Sequence, residues 1–325
     1  MANIKQIAEA AGVSVTTVSR VLNQHPYVSE SKRQAVEEAI ERLQYSRNMN
    51  AVHLIKGHTQ TIGVILPQIN HPYFSQMIEG IAKRALEFNY QLMLCQTNYQ
   101  LDEEIKVLKM LRDKQLDGVI ICSRSIALDH IEAYTSYGPI VLCEAVQNSP
   151  MSSVYLDHYA SFQKAIHYLW DKGHHDIGFT LYRHNSSNSL KRKQAYMDTL
   201  QALGGQPRQE WIVMDQIGIE GGDKLVKWFI QLEEKPSALL ITGDDLAAGF
   251  LIAAWQHGLR IPQDIAIIGF DNQPIAKALN ITTIETKLHE IGSRAFEIAH
   301  QQIIGEQDGP VTEELSFSLI ERGTV

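Results

Sequence analysis

The chain has 325 residues, of which 44% are hydrophobic and 20% are charged, and its net charge is −8. This length is too great for one small core and predicts two or three domains. The sequence contains no run of eighteen apolar residues and opens directly into a helical pattern. We therefore expect neither a membrane span nor a signal peptide, and a cytoplasmic location.

The charge is distributed unevenly along the chain. The first 60 residues hold seven Lys or Arg and five acidic residues, a net charge of +2, so the other 265 residues carry −10. A mildly basic head on an acidic body suits a single DNA-binding face. Cys95, Cys122 and Cys143 lie in apolar runs without CxxC spacing, which predicts reduced structural thiols rather than a metal site.

Two short helices joined by a tight turn are predicted at the start of the chain. A first helix is apolar at the i, i+3, i+4, i+7 spacing of one buried stripe: Ile4, Ile7, Ala8 and Ala11. Asn3 can cap this helix, Gly12 can end it, and Ser14 can cap the next one. This is the helix-turn-helix pattern, in which the second helix enters the DNA major groove.

The second helix has one apolar side and one side rich in hydrogen-bonding groups. Its apolar side is predicted to face the core: Val18, Val21 and Leu22. The remaining residues of the segment are the predicted DNA contacts: Ser14, Val15, Thr16, Thr17, Ser19, Arg20 and Asn23. We expect Val15, Thr16 and Arg20 to contact base edges, while Ser14, Thr17 and Asn23 mainly serve the backbone and the helix start.

A third helix and a linker follow. The third helix, over residues 31–43, is predicted to close a domain of residues 1–46, with these residues inward: Val36, Ala39, Ile40 and Leu43. Residues 47–60 show only weak helical periodicity, with Ala51, Leu54 and Ile55 on one side. A segment this short has too few partners to form a stable helix alone.

From Ile62 the pattern changes to short apolar runs separated by helical stretches. The runs fall into two sets: Ile62–Leu66, Gly118–Cys122 and Ile140–Cys143, then Ile177–Leu181, Ala238–Thr242 and Ile265–Phe270. Such runs predict parallel sheets that are covered on both faces. Two sets indicate two α/β lobes, with a ligand cleft between them at the carboxyl ends of the strands.

The expected boundaries of this bilobed domain are residues 61 and 325. Lobe 1 is expected at about 61–157 and 284–325, and lobe 2 at about 158–283. We also expect the run Leu315–Ile320 to add a strand to lobe 1. The predicted fold is therefore a three-helix, helix-turn-helix DNA-binding domain joined to a bilobed α/β domain.

The N-terminal motif V-S-x-x-T-V-S-R-V-L-N, at residues 13–23, makes the chain recognisable. Together with Val28-Ser29, Leu43-Gln44-Tyr45 and Asn48, it resembles the lac repressor/galactose repressor family of bacterial transcription regulators, in particular the catabolite-control type. The resemblance implies a periplasmic-binding-protein-like effector domain. It also implies that two hinge helices, one per subunit, become ordered on operator DNA.

The resemblance gives roles to two linker residues. Leu54 matches the leucine that enters the minor groove, and Ala51 matches the small residue at the contact between the hinge helices. The family usually has proline two residues after the Tyr45 position, where this chain has Arg47. That departure leaves the entry to the hinge less rigid.

The resemblance also implies an effector site at the strand ends. Tyr73 and Phe74 match aromatic residues that pack against the effector, Glu144 matches a sugar-contacting acid, and Arg192 and Asp271 match an R-x-x-G and a V-G-[FY]-D motif. Each residue also has an ordinary alternative. Phe74 can be core, Arg192 can be a surface residue, and Asp271 can be a helix cap.

Three positions depart from the family pattern around this site. Ala195 replaces a glycine, Gly243 replaces an asparagine that touches ligand in many relatives, and Cys122 replaces a polar contact. These departures mean that the identity of the effector does not transfer from a relative.

Two other classes of protein share doubly wound folds of this kind. An enzyme is disfavoured because the sequence has no GxGxxG after its first strand, and no GxxxxGK[ST], GxSxG or HExxH. A sugar transport receptor would need an export signal and no DNA-binding head. The sequence thus predicts a regulator with no catalytic residue, no cofactor and no metal.

The expected partners follow from this prediction. We expect a homodimer or a tetramer, nucleoid-associated in the cytoplasm, on a pseudo-palindromic double-stranded operator, as a repressor of carbohydrate metabolism genes. The expected effector is a sugar or a sugar phosphate, with no membrane partner. A phosphorylated carrier protein is disfavoured as corepressor, because Glu297 and Gln301 stand where basic residues are needed.

Overall fold

The computed structural model describes residues 2–45 and 57–325, and the chain divides into two compact units at His58 and Thr59. The hinge residues Ala51 and Leu54 lie outside the described residues, so their predicted roles stay predictions. None of the described helices is long and apolar enough to cross a membrane.

The N-terminal unit contains the three predicted helices: α1 (Ile4–Ala10), α2 (Val15–Leu22) and α3 (Glu30–Arg42). Asn3 caps α1 in a capping box with Gln6, since the Asn3 side chain accepts from the Gln6 amide and the Gln6 side chain accepts from the Asn3 amide. Gly12 follows α1 with φ +65°, and Ser14 caps α2 through the Thr17 amide. The predicted caps and the stop are confirmed.

The core of this unit is a small apolar cluster shared by the three helices. Its fully buried members are Ile7, Ala8, Val18, Val21, Val36 and Ala39. Leu22, Ile40 and Leu43 pack against the cluster and are partly buried. The helical spacing therefore predicted which residues face inward.

The second unit contains two six-stranded sheets, one in each lobe. The strands in chain order are β1 (Thr61–Leu66), β2 (Gln91–Gln96), β3 (Gly118–Ile121), β4 (Ile140–Leu142), β5 (Ser152–Leu156), β6 (Ile177–Leu181), β7 (Ile212–Met214), β8 (Ala238–Leu240), β9 (Ala266–Phe270), β10 (Thr283–Glu285), β11 (Thr312–Leu315) and β12 (Ser318–Ile320). The strand order is β11-β5-β4-β3-β1-β2 in lobe 1 and β12-β10-β9-β8-β6-β7 in lobe 2. Neighbouring strands are parallel, except for the antiparallel pair of β10 and β12.

Helices cover both faces of each sheet. They are α4 (Pro72–Glu87), α5 (Leu101–Arg112), α6 (Leu128–Glu132), α7 (His158–Asp171), α8 (Ser187–Ala202), α9 (Gly218–Gln231), α10 (Asp244–Gln256), α11 (Pro274–Ala278) and α12 (Leu288–Ile303), with a 3-10 turn at Gln209–Trp211. Each lobe has two apolar clusters, one on each side of its sheet. This layered arrangement places the loops after the strands along one edge of each sheet.

The C-terminal segment differs from the prediction. Thr312–Leu315 joins lobe 1 beside β5, but Ser318–Ile320 pairs with Thr283–Glu285 in the sheet of lobe 2. The expectations that Leu315–Ile320 adds a strand to lobe 1 and that lobe 2 ends at residue 283 are therefore wrong. Phe317 and Leu319 pack against the apolar core of lobe 2, which explains why the chain crosses back between the two short strands.

Candidate functional site

The first candidate site is the outer side of α2 in the N-terminal unit. Val15 is 41% exposed, and Thr16 and Arg20 are also exposed, so the three predicted base-reading side chains are available on this surface. An apolar side chain, a hydroxyl and a guanidinium together can contact thymine methyl groups and purine edges. Their contact with DNA stays a prediction.

The other predicted DNA residues take part in the local structure of the helix. The Ser14 hydroxyl accepts from the Thr17 amide at 3.1 Å and lies 2.9 Å from the Thr17 hydroxyl. Asn23 follows the last turn, and its side-chain amide donates to the Ser19 hydroxyl at 3.5 Å. These contacts fix both ends of α2, which orients Val15, Thr16 and Arg20.

The second candidate site is a cavity of about 380 Å³ between the two lobes of the effector unit. All five predicted effector residues line it: Tyr73, Phe74 and Glu144 from lobe 1, and Arg192 and Asp271 from lobe 2. They come from four segments of the chain, since Tyr73 and Phe74 are neighbours at the start of α4, so the fold brings together segments that are far apart in the sequence. A largely preformed cavity with a few converging polar groups is typical of a small-molecule site.

Asp271 and Arg192 form the polar wall of the cavity in lobe 2. Asp271 is 7% exposed, and one of its oxygens accepts from the Thr286 hydroxyl at 3.0 Å. Burial raises the pKa of Asp271 to about 6, while the nearby Arg192 guanidinium opposes this rise. The Asp271 backbone has φ +99°, a conformation that costs energy for any residue except glycine and that aims the side chain from the end of β9.

Arg192 is held between His158 and aromatic rings. Its Nη2 lies 3.2 Å from His158 Nδ1, and its Cζ lies 5.0 Å from the centre of the Phe270 ring. Burial, followed by the charge of Arg192, lowers the pKa of His158 well below its usual value, so the imidazole is neutral and its Nδ1 accepts. The Arg192 Nε is buried without a hydrogen-bond partner among the described residues, which leaves one donor for a ligand.

A buried carboxylate supports this wall from behind. Asp244 accepts from the Gln273 amide and from the Thr283 hydroxyl, both at 2.7 Å. Burial, with a further contribution from the Asp271 charge, raises the pKa of Asp244 to about 8. The negative charge of Asp271 therefore disfavours ionisation of the neighbouring Asp244 carboxyl group.

Gly243 is the N-cap residue of α10, immediately before Asp244. Its φ of +109° belongs to a region that side chains rarely adopt, and an added Cβ would lie 2.8 Å from an Asp245 oxygen. Glycine at this position thus follows from the local backbone. An asparagine here, as in many members of the family that the sequence resembles, would need a different loop.

Tyr73 and Phe74 form the aromatic floor in lobe 1. Their rings meet edge to face with centroids 5.1 Å apart, and Phe74 is buried in the core of lobe 1 while Tyr73 is half-buried. Burial and the nearby Asp271 raise the pKa of the Tyr73 hydroxyl, which therefore stays protonated and can donate. Phe74 is thus a core residue that also lines the cavity, and its packing against an effector stays a prediction.

Glu144 is bound by protein groups on both of its oxygens. Arg124 Nε donates to one oxygen at 2.5 Å, and the Ser187 hydroxyl donates to the other at 2.6 Å. Because Ser187 belongs to lobe 2, this carboxylate also joins the lobes. Binding of an effector to Glu144 stays a prediction, and it would require exchange of at least one of these partners.

Several residues of the cavity were not predicted from the sequence. They are Tyr99, Arg124, Arg183 and Ser187, and His158, which contacts Arg192 but does not line the cavity, was not predicted either. Arg124 follows β3 and Arg183 follows β6, so their positions just after buried strands were a signal that could have identified them. Among the described residues, no three His, Cys, Asp or Glu side chains are grouped so that they could hold a metal ion.

Comparison with protein families gives two matches that together span most of the chain. Residues 3–48 match the model described as bacterial regulatory proteins, lacI family. Residues 59–320 match the model described as periplasmic binding proteins and sugar binding domain of LacI family.

Two curated relatives from Bacillus subtilis (strain 168) are similar over nearly the full length. The uncharacterized HTH-type transcriptional regulator YkvZ is 42% identical, with 100% of both chains covered. Catabolite control protein B is 37% identical, with 92% of this chain and 94% of the relative covered. The resemblance to catabolite-control regulators is thereby confirmed.

Two solved structures show the same architecture. The lac repressor dimer bound to operator and the anti-inducer ONPF has a TM-score of 0.84 at 23% identity, covering 99% of this chain and 98% of the other. A LacI family regulator from Lactobacillus casei with bound sucrose has a TM-score of 0.74 at 26% identity, covering 82% and 99%. The match to the lac repressor dimer, together with the two family matches, confirms the predicted combination of a helix-turn-helix domain with a two-lobed α/β domain.

Proposed function

The chain belongs to the LacI family of bacterial regulatory proteins, and we propose that it is a dimeric transcriptional repressor controlled by a small sugar bound between its lobes. Its relatives are named as transcriptional regulators or repressors, so it is a regulator and not an enzyme. The observation that carries the effector proposal is the cavity lined by polar and aromatic side chains from both lobes.

The composition of the cavity favours a carbohydrate. Asp271 and Glu144 can accept hydrogen bonds from hydroxyl groups, and Arg192 offers a buried donor with no other partner in the described structure. The aromatic floor at Tyr73 and Phe74 can pack against the apolar face of a sugar ring. Three arginines line the cavity, and their charge would suit a phosphate group. A sugar phosphate is therefore the alternative to a neutral sugar within the same proposal.

A homodimer is proposed because each lobe has exposed apolar residues away from the cavity. In lobe 1 they include Met93 and Leu94 on the edge strand β2, and in lobe 2 they include Ile252 and Trp255 on α10, where Trp255 is 56% exposed. Large apolar side chains exposed in this way can be covered in a subunit interface. A tetramer is the alternative, and the molecular mass measured in solution distinguishes it from a dimer.

A dimer explains how the proposed operator is recognised. Two copies of α2 would contact two half-sites about one DNA turn apart, roughly 34–36 Å, which requires a pseudo-palindromic sequence. We propose that the protein acts in the cytoplasm on the nucleoid, where its operators lie. A ligand that binds the open and closed forms of the cleft unequally then changes operator affinity by the coupling free energy.

The proposal is tested by a thermal-shift screen of the purified chain, followed by operator binding. Glucose, sucrose, cellobiose and glucose 6-phosphate are tested as probes, and a ligand at 100 times its dissociation constant should stabilise the folded protein by about 2.7 kcal/mol. Operator sequence is found by selection from random DNA. We expect a compound that raises the melting temperature also to change operator affinity. If no sugar or sugar phosphate from a broad panel does both, the carbohydrate effector is wrong.

A further inference from the structure

We propose that Arg183 is a positioning residue that holds the cleft closed by gripping lobe 1 before an effector binds. The inference rests on the proposed function, because it concerns how the proposed effector site closes. It assigns a role to a side chain that the sequence motifs do not account for.

Arg183 reaches from lobe 2 to three different groups of lobe 1. It follows β6, and both of its terminal nitrogens donate to the Arg124 carbonyl oxygen at 3.2 Å. One of them also lies 3.4 Å from the Ser125 hydroxyl. Its guanidinium carbon lies 3.7 Å from the centre of the Tyr99 ring, which is close contact for a cation over an aromatic face.

The geometry of these contacts needs a guanidinium. A planar group can stack on the Tyr99 ring while its in-plane nitrogens donate to a carbonyl oxygen. Lysine has a single charged nitrogen and cannot make the stacked and the forked contact together. Arg183 is half-buried, so its interaction with lobe 1 is less screened by water than that of an exposed pair.

Hydrogen bonds within lobe 1 hold the loop after β3, which Arg183 contacts, in a fixed conformation. Glu104 is fully buried, and its carboxylate accepts from the Ser125 amide at 2.8 and 3.0 Å and from the Ile126 amide at 2.8 Å. The Tyr99 hydroxyl lies 3.3 Å from the Ser123 hydroxyl. The loop after β3 is thus fixed from inside lobe 1 and does not depend on the other lobe for its shape.

The positive charge of Arg183 also interacts with Glu104 of lobe 1. Burial raises the pKa of Glu104, and the charges of Arg183 and Arg124, together with the two backbone hydrogen bonds, oppose that rise. Arg183 therefore stabilises the ionised form of a buried carboxylate in the opposite lobe. Opening the cleft would remove that charge from Glu104 as well as the contacts with Tyr99 and the Arg124 carbonyl.

Another direct link between the lobes uses a side chain predicted to bind the effector. Ser187 donates to Glu144, and an effector that binds Glu144 would compete with this link. The Arg183 contacts use a main-chain carbonyl and the face of an aromatic ring. They can remain while Glu144 exchanges its partner, so the closure that Arg183 provides does not depend on the contact between Ser187 and Glu144.

The direct test measures the distance between the lobes in full-length, effector-free protein. Spin labels are carried by unnatural amino acids at His130 in lobe 1 and Asp215 in lobe 2, both exposed, and labelled chains are diluted with unlabelled ones. Pulsed electron paramagnetic resonance then gives the distribution of distances between the two spin labels. We expect wild type to give mainly one short distance, and Arg183→Ala to shift much of the distribution to longer distances.

Matched variants separate closure from a general structural effect. Arg208→Ala is the control, since Arg208 also stacks on an aromatic ring, Trp211, but within lobe 2, and it should leave the distribution unchanged. Tyr99→Leu should open the cleft as well, and its combination with Arg183→Ala should open it less than additively. Arg183→Lys should give an intermediate distribution.

The proposal is overturned if Arg183→Ala and Tyr99→Leu, both folded by their melting curves, keep the wild-type distribution. It is also overturned if Arg208→Ala opens the cleft to the same degree. If Arg183→Ala does not fold, Tyr99→Leu and Arg183→Lys decide the question. The measurement contains no sugar, so its result is independent of the effector screen, and either proposal can fail alone.

Discussion

The Ser187 hydroxyl of lobe 2 donates a 2.6 Å hydrogen bond to the Glu144 carboxylate of lobe 1. The other Glu144 oxygen accepts from Arg124, so both oxygens of this predicted effector ligand are occupied by protein groups. A sugar hydroxyl can replace the Ser187 hydroxyl with little change in hydrogen bonding. Effector binding would then alter a contact that joins the lobes, which is the unequal binding that a regulator requires.

Glu144→Gln should weaken effector binding about tenfold. The amide keeps the size of the side chain but loses its charge and one acceptor, and a hydrogen bond to a charged group contributes about 1.5–3 kcal/mol. Isothermal titration with the sugar found by the screen measures the change. Glu132→Gln, at the end of α6 in lobe 1 and away from the cavity, is the control. Unchanged affinity in Glu144→Gln would show that Glu144 serves only the contact between the lobes.

Arg20→Ala should lower affinity for the selected operator by roughly 1–3 kcal/mol and relax preference at one base pair. Arg20 lies on the exposed side of α2 beside Thr16, where a guanidinium can pair with a purine edge. Binding-site selection with wild type and variant compares their preferences. Lys32→Ala removes an exposed positive charge from α3 and should keep the sequence preference. The same preferred sequence in Arg20→Ala would rule out its role in base recognition.

Leu54→Ala should reduce specific operator affinity, because it removes an apolar side chain predicted to enter the minor groove and kink the central step. Gel-shift titrations on the operator and on random DNA measure the specific component. Leu86→Ala, an exposed leucine of lobe 1, is the matched control. A specific affinity equal to that of wild type would contradict the hinge role that the sequence resemblance implies.

Stability should depend on two buried carboxyl groups, Asp271 in the cavity wall and Asp244 behind it. Their pKa values are raised from 3.8 to about 8 for Asp244 and about 6 for Asp271, so the folded state binds protons that the unfolded state releases. The free energy of unfolding should therefore fall as the pH rises from about 4 through 6 to 8, by up to about 1.4 kcal/mol per pH unit for each proton.

Urea unfolding of wild type and Asp244→Asn at pH 5 and pH 8 measures this dependence. Asparagine can accept from the Gln273 amide and donate to the Thr283 oxygen, so it fits the site without a proton to lose. We expect the fall between the two pH values to be smaller in the variant. An equal fall in wild type and in the variant would show that Asp244 does not hold a proton in this pH range.

The sequence predicted the local features of the molecule better than the long-range ones. Ser14 and Asn3 were identified as caps because a cap acts within three residues, and buried strands such as Ile177–Leu181 were identified by continuous apolar runs. The strand Gln91–Gln96 was missed because it lies at the edge of its sheet and is largely exposed. Its composition therefore lacks the signal of a buried strand.

The candidate site shows the same limit. Tyr73, Glu144, Arg192 and Asp271 were predicted because they fall within motifs that the family resemblance supplies. Arg183 and Arg124 belong to no such motif, and their contact joins groups 59 residues apart in the sequence. Only the folded arrangement of two lobes reveals that the loops after β3 and β6 meet.

The measurement that tests the central claim most directly is operator affinity with and without saturating effector, in wild type and in Asp271→Ala. Asp271 lines the cavity, and the variant removes its predicted hydrogen bonds to the sugar. We expect the variant to bind the operator like effector-free wild type and to show no response to effector. Asp308→Ala, at an exposed position, should respond normally. A full response of Asp271→Ala at the wild-type effector concentration would contradict the assignment of the cavity as the regulatory site.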